Sequence, residues 1–384
     1  MPPRHLYVHI PFCARRCSYC DFSIAVRGST PVQEYTAALR AELGLGIING
    51  AVLDTVYLGG GTPSRLGGQG VADVLSAVRD RASVAKTAEI TIEANPDDVN
   101  DLAVAKWVAA GVNRVSLGAQ SFDDAVLKWM HRTHDARQIG EAVRTLRRGG
   151  IKNISLDLIF ALPASLNRSW ERDLTLALDL EPQHVSLYGL TVEAHTPIAR
   201  WAGRGVVVEG SEAQYEEEFL LANKSMTRAG FDHYEVSNFA LPGNASRHNS
   251  AYWTGAPYAA LGPSAHSFDG EVRRWNVSAY SEWVRRLMAG RPVVGGEETL
   301  TAENRDAEAV YLGLRTRHGL EISEADLDTA RLWVDAGWGE LENNRLRLSP
   351  AGWLRLDSLA ADLAARRDRN AKAAMSPTPS HCYI

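Results

Sequence analysis

The sequence predicts an α/β fold in which repeated strand–helix units build a parallel sheet, followed by a small appended domain. Between residues 6 and 230, six short β-rich apolar runs are each followed by an amphipathic helical pattern. Such units in series imply a parallel sheet with right-handed crossovers. The runs at residues 115–117 and 156–159 are mostly apolar, as is typical of strands buried on both faces. After residue 235 the repeat stops.

The six units follow one another in order along the chain. The predicted strands cover residues 6–10, 55–60, 89–95, 114–120, 153–160 and 184–190, and the predicted helices cover residues 32–47, 71–82, 100–111, 135–148, 169–180 and 212–229. The helix at 135–148 has its apolar residues at steps of three and four, which places them on one face. Six units form either an open sheet or part of a barrel, and in both folds binding residues are expected at the C-terminal strand ends.

We assign residues 1–235 to this repeating domain and divide the remainder into three segments. Residues 236–300 carry Gly, Pro, Trp and Tyr in irregular order. Residues 301–368 predict a helical, winged-helix-like α+β domain, with helices at 303–316, 323–336 and 351–366 and a hairpin turning at Asn343-Asn344. That domain lacks the basic stripe of a DNA-binding one. Residues 369–384 predict a disordered tail.

Composition excludes several classes of protein. The chain has 384 residues, with 41 basic and 46 acidic side chains, so its net charge of −5 argues against a nucleic-acid-binding protein. No apolar run approaches the roughly 20 residues that span a bilayer, and the N-terminus has no signal-peptide pattern. We therefore expect a cytoplasmic protein without an integral membrane segment and without disulfides.

Three of the four cysteines lie within eight residues, with the spacing C-x3-C-x2-C of Cys13, Cys17 and Cys20. Thiolates on one short loop after the first strand are suited to hold three corners of an iron–sulfur cubane. The fourth iron then stays open to an exchangeable ligand. Arg15 and Arg16 are placed to stabilise the negative charge.

The alternative is a structural zinc site, which normally needs four protein ligands. His9 is the available fourth ligand, but its spacing to Cys13 matches no common zinc pattern. Cys382 lies in the predicted tail and is interpreted as an incidental thiol.

This cysteine loop, placed after the first strand of a repeating strand–helix chain, resembles the radical SAM superfamily over residues 5 to about 190. The resemblance implies a partial (β/α)6 barrel and a [4Fe–4S] cluster on Cys13, Cys17 and Cys20. It also implies S-adenosylmethionine (SAM) on the open iron. Members of the superfamily cleave SAM reductively to a 5′-deoxyadenosyl radical. The cofactor supplies that chemistry, and the protein supplies position and exclusion of solvent.

A glycine-rich turn, Gly59-Gly60-Gly61-Thr62-Pro63, follows the second predicted strand. Glycines without Cβ atoms let a backbone approach a ligand closely, although a tight strand-to-helix turn explains them equally well. The resemblance favours a ligand, because radical SAM proteins keep a similar turn against the methionine amino group.

Four polar residues lie on or after the later strands: Glu93, Gln120, Arg132 and Asp157. A charge within an apolar strand is costly unless it is paired, so an ion pair of Asp157 with Arg132 is one interpretation. The other is a polar pocket at the barrel mouth. The positions resemble those that bind SAM in oxygen-independent coproporphyrinogen III oxidases and their relatives, which implies SAM contacts from Tyr7, Tyr19, Gly60, Gly61, Thr62, Glu93, Gln120, Arg132 and Asp157.

This family contains oxidases, which decarboxylate coproporphyrinogen III to protoporphyrinogen IX, and a branch of heme chaperones. Oxidases carry a further cysteine two residues after the third, where this chain has Phe22. Oxidases also have a long N-terminal extension, whereas six residues precede Tyr7 here. The run His248-Asn249-Ser250-Ala251-Tyr252-Trp253 resembles the chaperone branch. We therefore expect a heme carrier rather than a coproporphyrinogen oxidase. The oxidase is the alternative, and a radical SAM enzyme with another substrate is a third interpretation.

Residues 246–276 have an inventory suited to heme. His248 and His266 offer imidazoles. Aromatic rings and arginines, which stack on a macrocycle and pair with propionates, are Tyr252, Trp253, Tyr258, Trp275, Arg247, Arg273 and Arg274. We predict His248 as the heme contact because its motif separates the two branches, and because Phe268 is the aromatic near His266 in sequence. The expected partners are heme and a heme-accepting protein, such as a respiratory one.

Overall fold

A computed structural model describes residues 2–375. Cys382 and most of the predicted tail therefore lie outside the described residues. The chain divides into two compact units. The first comprises residues 2–233, 237–252 and 256–299, and the second comprises residues 234–236, 253–255 and those from 300 onward. Over residues 2–375, no helix combines the length and apolar character that crossing a membrane requires.

Strands and helices alternate through the first 230 residues. The strands are β1 (His5–Ile10), β2 (Phe12–Cys13), β3 (Ala25–Val26), β4 (Val52–Gly60), β5 (Ser83–Ala94), β6 (Arg114–Gln120), β7 (Asn153–Phe160) and β8 (His184–Gly189). The helices are α1 (Val32–Leu43), α2 (Gly67–Arg79), α3 (Asp101–Ala109), α4 (Asp124–Trp129), α5 (Ala136–Arg148), α6 (Trp170–Asp179), α7 (Pro197–Ala202) and α8 (Glu212–Arg228).

Shorter elements follow up to residue 299. The strands are β9 (Asp232–Glu235), β10 (Asn238–Ala240), β11 (Ala259–Leu261), β12 (His266–Phe268), β13 (Val272–Asn276) and β14 (Val294–Thr299), and the helices are α9 (Arg247–Trp253) and α10 (Tyr280–Met288). The sequence predicted no regular structure over residues 236–300. The three-residue strands β10, β11 and β12 are too short to show an alternating pattern, whereas α10 was missed although its buried Tyr280, Trp283 and Leu287 recur at steps of three and four.

The central sheet forms the partial barrel that the resemblance implied. Its strands pair in the order β11-β1-β4-β5-β6-β7-β8-β10. The six predicted strands are all parallel to one another, which confirms the prediction. β11 adds a parallel strand at the edge beside β1, and β10 adds an antiparallel one beside β8. The C-terminal ends of the parallel strands therefore gather at one end of the barrel.

Helix α5 illustrates how the local sequence builds the barrel wall. Asp135 accepts from the Gln138 backbone N–H, and the Gln138 side chain accepts from the Asp135 N–H, which completes a capping box. The apolar face that the periodicity predicted is buried, namely Ile139, Ala142, Val143 and Leu146. The helix therefore forms where both its start signal and its burial agree.

The second unit has the predicted winged-helix-like α+β composition. Its elements are α11 (Ala302–Arg315), β15 (Leu320–Glu321), α12 (Leu327–Asp335), β16 (Gly339–Glu342), β17 (Arg345–Leu348), α13 (Pro350–Trp353) and α14 (Leu356–Met375). The hairpin of β16 and β17 turns at Asn343 and Asn344, which have φ values of 50° and 59°. Asparagine tolerates this left-handed region better than most residues, which explains the turn.

Candidate functional site

A cavity of about 390 Å3 lies at the C-terminal ends of the parallel strands. That is the size of a small-molecule site and the place where this class of fold binds ligands. The predicted site residues among its lining are Cys13, Cys17, Tyr19, Cys20, Gly60, Gly61, Thr62, Glu93, Gln120, Arg132 and Asp157. The structure therefore brings together eleven residues whose sequence positions span 145 residues.

The three clustered cysteines occupy one side of this cavity. Cys13 ends β2 and is buried, whereas Cys17 and Cys20 are partly buried on the loop that follows. The Cys13 Sγ lies 3.4 Å from the Thr62 Oγ1, which joins the cysteine loop to the glycine-rich turn. The sulfurs and the turn therefore face the same space.

Burial controls the charge of the free thiols. It raises the pKa of Cys13, and it raises the pKa of Cys20 to about 11. Both groups are therefore neutral thiols near pH 7 until a metal displaces their protons. The guanidinium that donates to a cysteine sulfur is Arg132, whose Nη1 lies 3.4 Å from the Cys17 Sγ. Arg16, which the sequence offered to stabilise the negative charge, donates to the Cys20 carbonyl oxygen, and its positive charge opposes the rise in the pKa of Cys13 and Cys20.

The donor set, three cysteines on β2 and the loop after it, is of the kind that holds an iron–sulfur cluster. Over residues 2–375, no three His, Cys, Asp or Glu side chains are grouped closely enough to hold one metal ion. A cubane carries its irons on separate corners, so its thiolates are spread further apart than the ligands of one ion. Cysteine is also the usual ligand of such clusters. Three cysteines around one cavity fit this group.

The glycine-rich turn is shaped by close backbone contacts. Gly60 has a φ of 113°, and an added Cβ there would lie 2.5 Å from the His9 ring. At Gly61 an added Cβ would lie 2.6 Å from the Pro11 carbonyl carbon. Larger side chains are therefore excluded, and the backbone itself forms the cavity wall beside the cysteine loop.

Glu93 presents a carboxylate to the cavity. Its Oε1 accepts from the Tyr57 hydroxyl and its Oε2 accepts from the Gly60 N–H, both at 2.9 Å. Burial raises its pKa to about 7 in spite of these two hydrogen bonds, and the nearby carboxyl of Asp157 adds to the shift. A cationic group bound in the cavity would favour the charged carboxylate.

Arg132 and Asp157 do not form the ion pair that the sequence left open. The Arg132 Nη2 donates to the Asn95 Oδ1 at 2.5 Å, and its Nε is buried with no partner among the described residues. Asp157 accepts from the Ser116 hydroxyl at 3.0 Å, and burial raises the pKa of its carboxyl. A buried guanidinium nitrogen without a partner at a cavity wall is suited to an acceptor group on a ligand.

Gln120 lies at an irregularity where β6 loses its regular pairing with β7. Its φ is 67°, a left-handed value that is uncommon for a residue other than glycine. A distorted strand end of this kind redirects a side chain, and such distortions are frequent beside functional sites. Gln120 is one of the residues that line the cavity.

The two predicted tyrosines take different places. Tyr19 lines the cavity and packs against the apolar cluster of Val126, Met130, Ile159 and Leu162. Tyr7 is not among the lining residues. Its ring stacks on Tyr57 at 6.2 Å and its hydroxyl lies 3.1 Å from the His9 Nδ1, so it is placed behind the wall.

His248 also lies away from the cavity, and it is only 1% exposed. Its Nδ1 is 2.7 Å from the Thr55 Oγ1, and its Nε2 is 2.8 Å from the Tyr252 hydroxyl. Burial lowers the pKa of its imidazole to about 3, which keeps the ring neutral. Because both ring nitrogens are hydrogen-bonded, His248 offers no free nitrogen to an iron in this arrangement.

His266 contrasts with His248, since its side chain is exposed at the start of β12. Its cross-strand partner on β13 is Trp275, and the two rings stack at 5.8 Å. The aromatic neighbour that the linear sequence did not show at His266 is thus supplied by strand pairing. Arg274 faces Asp269 and Glu297 in ion pairs, whereas Arg273 lies over the Phe268 ring.

Several cavity residues were missed in the sequence, including Asn95, Ser116, His131 and Tyr188. Asn95 directly follows β5, so its position at a strand end was an available signal. Ser116 lies within the buried strand β6, where a single hydroxyl gives no sequence signal. Tyr188 is 45% exposed near the end of β8, and its exposure cannot be read from an apolar run.

Known proteins are similar to this chain over most of its length. The model of the radical SAM superfamily matches residues 7–177. The heme chaperone HemW from Mycobacterium tuberculosis H37Rv is 35% identical over 369 residues, which cover 94% of this chain and 95% of that protein. HemW from Escherichia coli K12 is 35% identical over 298 residues, or 76% and 77% of the two chains.

Among solved structures, the coproporphyrinogen III oxidase HemN from Escherichia coli superposes with a TM-score of 0.79. It covers 94% of this chain and 90% of its own chain at 21% identity. Similarity at this level of identity supports the shared fold and does not distinguish oxidases from chaperones.

Proposed function

Because the chain belongs to the HemW family of the radical SAM superfamily, we propose that it binds heme and passes it to acceptor proteins. The observation that carries the proposal is the 35% identity to a named heme chaperone over nearly the whole of both chains. Phe22 supports it, because this side chain stands where the oxidases have a further thiol and is 62% exposed.

We propose that Cys13, Cys17 and Cys20 hold a [4Fe–4S] cluster and that the cavity beside them holds SAM. When bound, the cluster supplies an open iron and an electron. Glu93 and the Gly60–Thr62 turn bind the methionine end of SAM, with the carboxylate accepting from its ammonium group. The Arg132 guanidinium, whose side chain lines the cavity, donates to an acceptor on the ligand, and Gln120 and Asp157 face its hydroxyl groups. Tyr19 excludes water from one side.

The heme site that we propose is the face of the three-stranded sheet β12-β13-β14 that carries the exposed His266. His266, Trp275, Phe268 and Arg273 lie on this face in cross-strand register, and Phe268 is buried. The His266 imidazole, the Trp275 ring and the Arg273 guanidinium match the iron, the macrocycle and a propionate of heme. His248 remains the competing candidate, and its use requires that a hydrogen bond to Thr55 or Tyr252 be broken first.

A paired assay on the cluster-reconstituted protein tests the function. Hemin is titrated and followed by absorbance, and coproporphyrinogen III with SAM and a reductant is assayed for protoporphyrinogen IX. We expect one heme per chain, no porphyrinogen turnover, and transfer of heme to an apo-acceptor such as an apocytochrome. Turnover without stable heme binding contradicts the proposal and identifies the chain as an oxidase.

A further inference from the structure

The His248 side chain is held in one orientation by contacts on three sides. Thr55 and Tyr252 hydrogen-bond its two ring nitrogens, at 2.7 and 2.8 Å. Its backbone N–H donates to the Glu89 Oε1 at 3.0 Å. Nearly full burial leaves the ring little freedom to move. Such a constrained ring is suited to fixing the position of whatever packs against it.

The ring packs against Tyr57, which continues towards the cavity. The centroids of the two rings are 5.0 Å apart and their planes differ by 25°, which is a stacked arrangement. The Tyr57 hydroxyl then donates to the Glu93 Oε1 at 2.9 Å. One ring contact and one hydrogen bond therefore connect the motif beyond the barrel to a carboxylate that faces the cavity.

The space for this connection is made by Gly59. An added Cβ there would lie 2.9 Å from the Tyr57 Cε1 and 3.0 Å from the Glu93 Oε1. Glu93 is held by two donors, Tyr57 on one oxygen and the Gly60 N–H on the other. Loss of the Tyr57 donor leaves one oxygen free to rotate, so the carboxylate no longer has a single orientation.

We propose that His248 is a positioning residue that acts through Tyr57 on Glu93, and that it thereby sets the affinity of the cavity for SAM. The inference rests on the proposed function, since it takes SAM as the ligand of Glu93. It gives the histidine motif a role in the cofactor cavity in place of direct ligation of heme iron. Because coupling between sites is reciprocal, SAM binding also restrains the His248 segment.

The test is SAM binding to the cluster-reconstituted full chain, measured by equilibrium dialysis beside iron content and the thermal unfolding midpoint. Tyr57→Phe removes the donor to Glu93, and we expect about tenfold weaker SAM binding with unchanged iron. Tyr280→Phe is the matched control, because the Tyr280 hydroxyl donates to the Glu34 Oε1 at 2.6 Å, and neither residue lines the cavity. We expect its SAM affinity to stay within about twofold of the unmodified chain.

Two substitutions of His248 separate positioning from stability. His248→Phe keeps a ring on Tyr57 but loses both hydrogen bonds, so it lowers the unfolding midpoint while SAM affinity stays within about threefold. His248→Gln keeps polar atoms for Thr55 and Tyr252 but removes the ring, and we expect about tenfold weaker SAM binding. The combination His248→Gln with Tyr57→Phe should weaken binding no further than either change alone, because both act on one contact chain.

Normal SAM affinity in both Tyr57→Phe and His248→Gln overturns the inference and leaves the proposed function intact. Additive losses in the double variant also overturn it, because they indicate independent effects. Failure of the unmodified reconstituted chain to bind SAM removes the proposed cofactor set, and this inference falls with it.

Discussion

The strand-end cavity and the histidine motif were both predicted as binding regions, yet the structure satisfies their polar groups differently. In the cavity, the Arg132 Nε has no partner among the described residues, and Glu93 faces open space with two donors. In the motif, both nitrogens of His248 are already hydrogen-bonded within the protein. A residue type suggests a ligand, but polar groups beside a cavity that the protein leaves unsatisfied indicate where a ligand binds.

A second buried carboxylate, that of Glu42, shows the same difference between a group satisfied within the protein and one that faces the cavity. Glu42 accepts from the Gly262 N–H, the Asn276 amide and the Trp283 indole, all within the first unit. It is fully buried, and burial raises its pKa to about 7, as it does for Glu93. Equal pKa shifts therefore accompany different roles, because Glu42 is enclosed by protein donors whereas Glu93 keeps a side towards the cavity.

The largest expected effect is at the cavity, where loss of a cysteine should remove the iron–sulfur cluster. Replacing Cys13, Cys17 or Cys20 by Ala should abolish it, since each change removes one of three thiolates. Iron and sulfide analysis of anaerobically reconstituted protein should give about four of each for the unmodified chain. Cys382→Ala and His248→Gln are the controls and should keep both. Loss of the cluster in Cys382→Ala alone would falsify the ligand set.

The next effect is on SAM binding at the glycine turn. Gly61→Val should weaken SAM affinity by more than about tenfold, because a Cβ 2.6 Å from the Pro11 backbone forces the cavity wall to move. Gly28→Val is the matched control, since an added Cβ at Gly28 meets nothing within 4 Å. Equal SAM affinities of these two variants, measured by equilibrium dialysis, would show that the turn does not contact the ligand.

The sequence predicted the barrel well because long parallel strands and helices carry strong periodic signals. All six strands and the face of α5 formed as expected. Residues at strand ends, such as Glu93 and Gln120, were therefore placed correctly at the cavity. Prediction failed for β11 to β14 and for α10. The strands β11 and β12 are too short for a detectable period, and the pairing of β13 and β14 is decided by other segments of the chain.

At the site, the sequence could not predict contacts between segments that lie far apart in the chain. The stack of His266 on Trp275 depends on pairing between β12 and β13. The stack of His248 on Tyr57 joins residues 191 positions apart. Arg132 finds Asn95 and Cys17 instead of Asp157. None of these partners follows from spacing, because they are chosen by the folded geometry.

The next effect concerns heme binding, where His266 is compared with His248 of the histidine motif. His266→Ala should weaken heme affinity about tenfold or shift the Soret band, because an exposed neutral imidazole is suited to bind iron. His248→Phe should leave the heme spectrum unchanged. Absorbance titration with hemin measures both. If only His248→Phe alters the spectrum, the heme contact is His248 and the buried ring must open on binding.

The smallest effect concerns the pH dependence of stability at Glu42. Its folded pKa of about 7 exceeds the ordinary value of 4.5, because burial outweighs three hydrogen bonds. The folded state therefore binds the proton more tightly than the unfolded state does. The stability that this group contributes is greatest below pH 4.5 and is lost as pH rises through 7. Over that window the loss is on the order of 2–3 kcal/mol.

Glu42→Gln removes this titration. It also lowers the stability of the folded state by an amount that does not depend on pH, since an amide cannot accept from all three donors. The difference in unfolding midpoint between Glu42→Gln and the unmodified chain should therefore shift in favour of the variant from pH 5 to pH 8. Thermal unfolding across this range measures it. Addition of SAM should leave the difference at Glu42 unchanged, but it should alter the corresponding difference for Glu93→Gln, because only Glu93 faces the cavity. A pH-independent difference at Glu42 would mean that its carboxyl titrates alike in the folded and unfolded chain. Burial would then leave the pKa of Glu42 no different from that of an exposed glutamate.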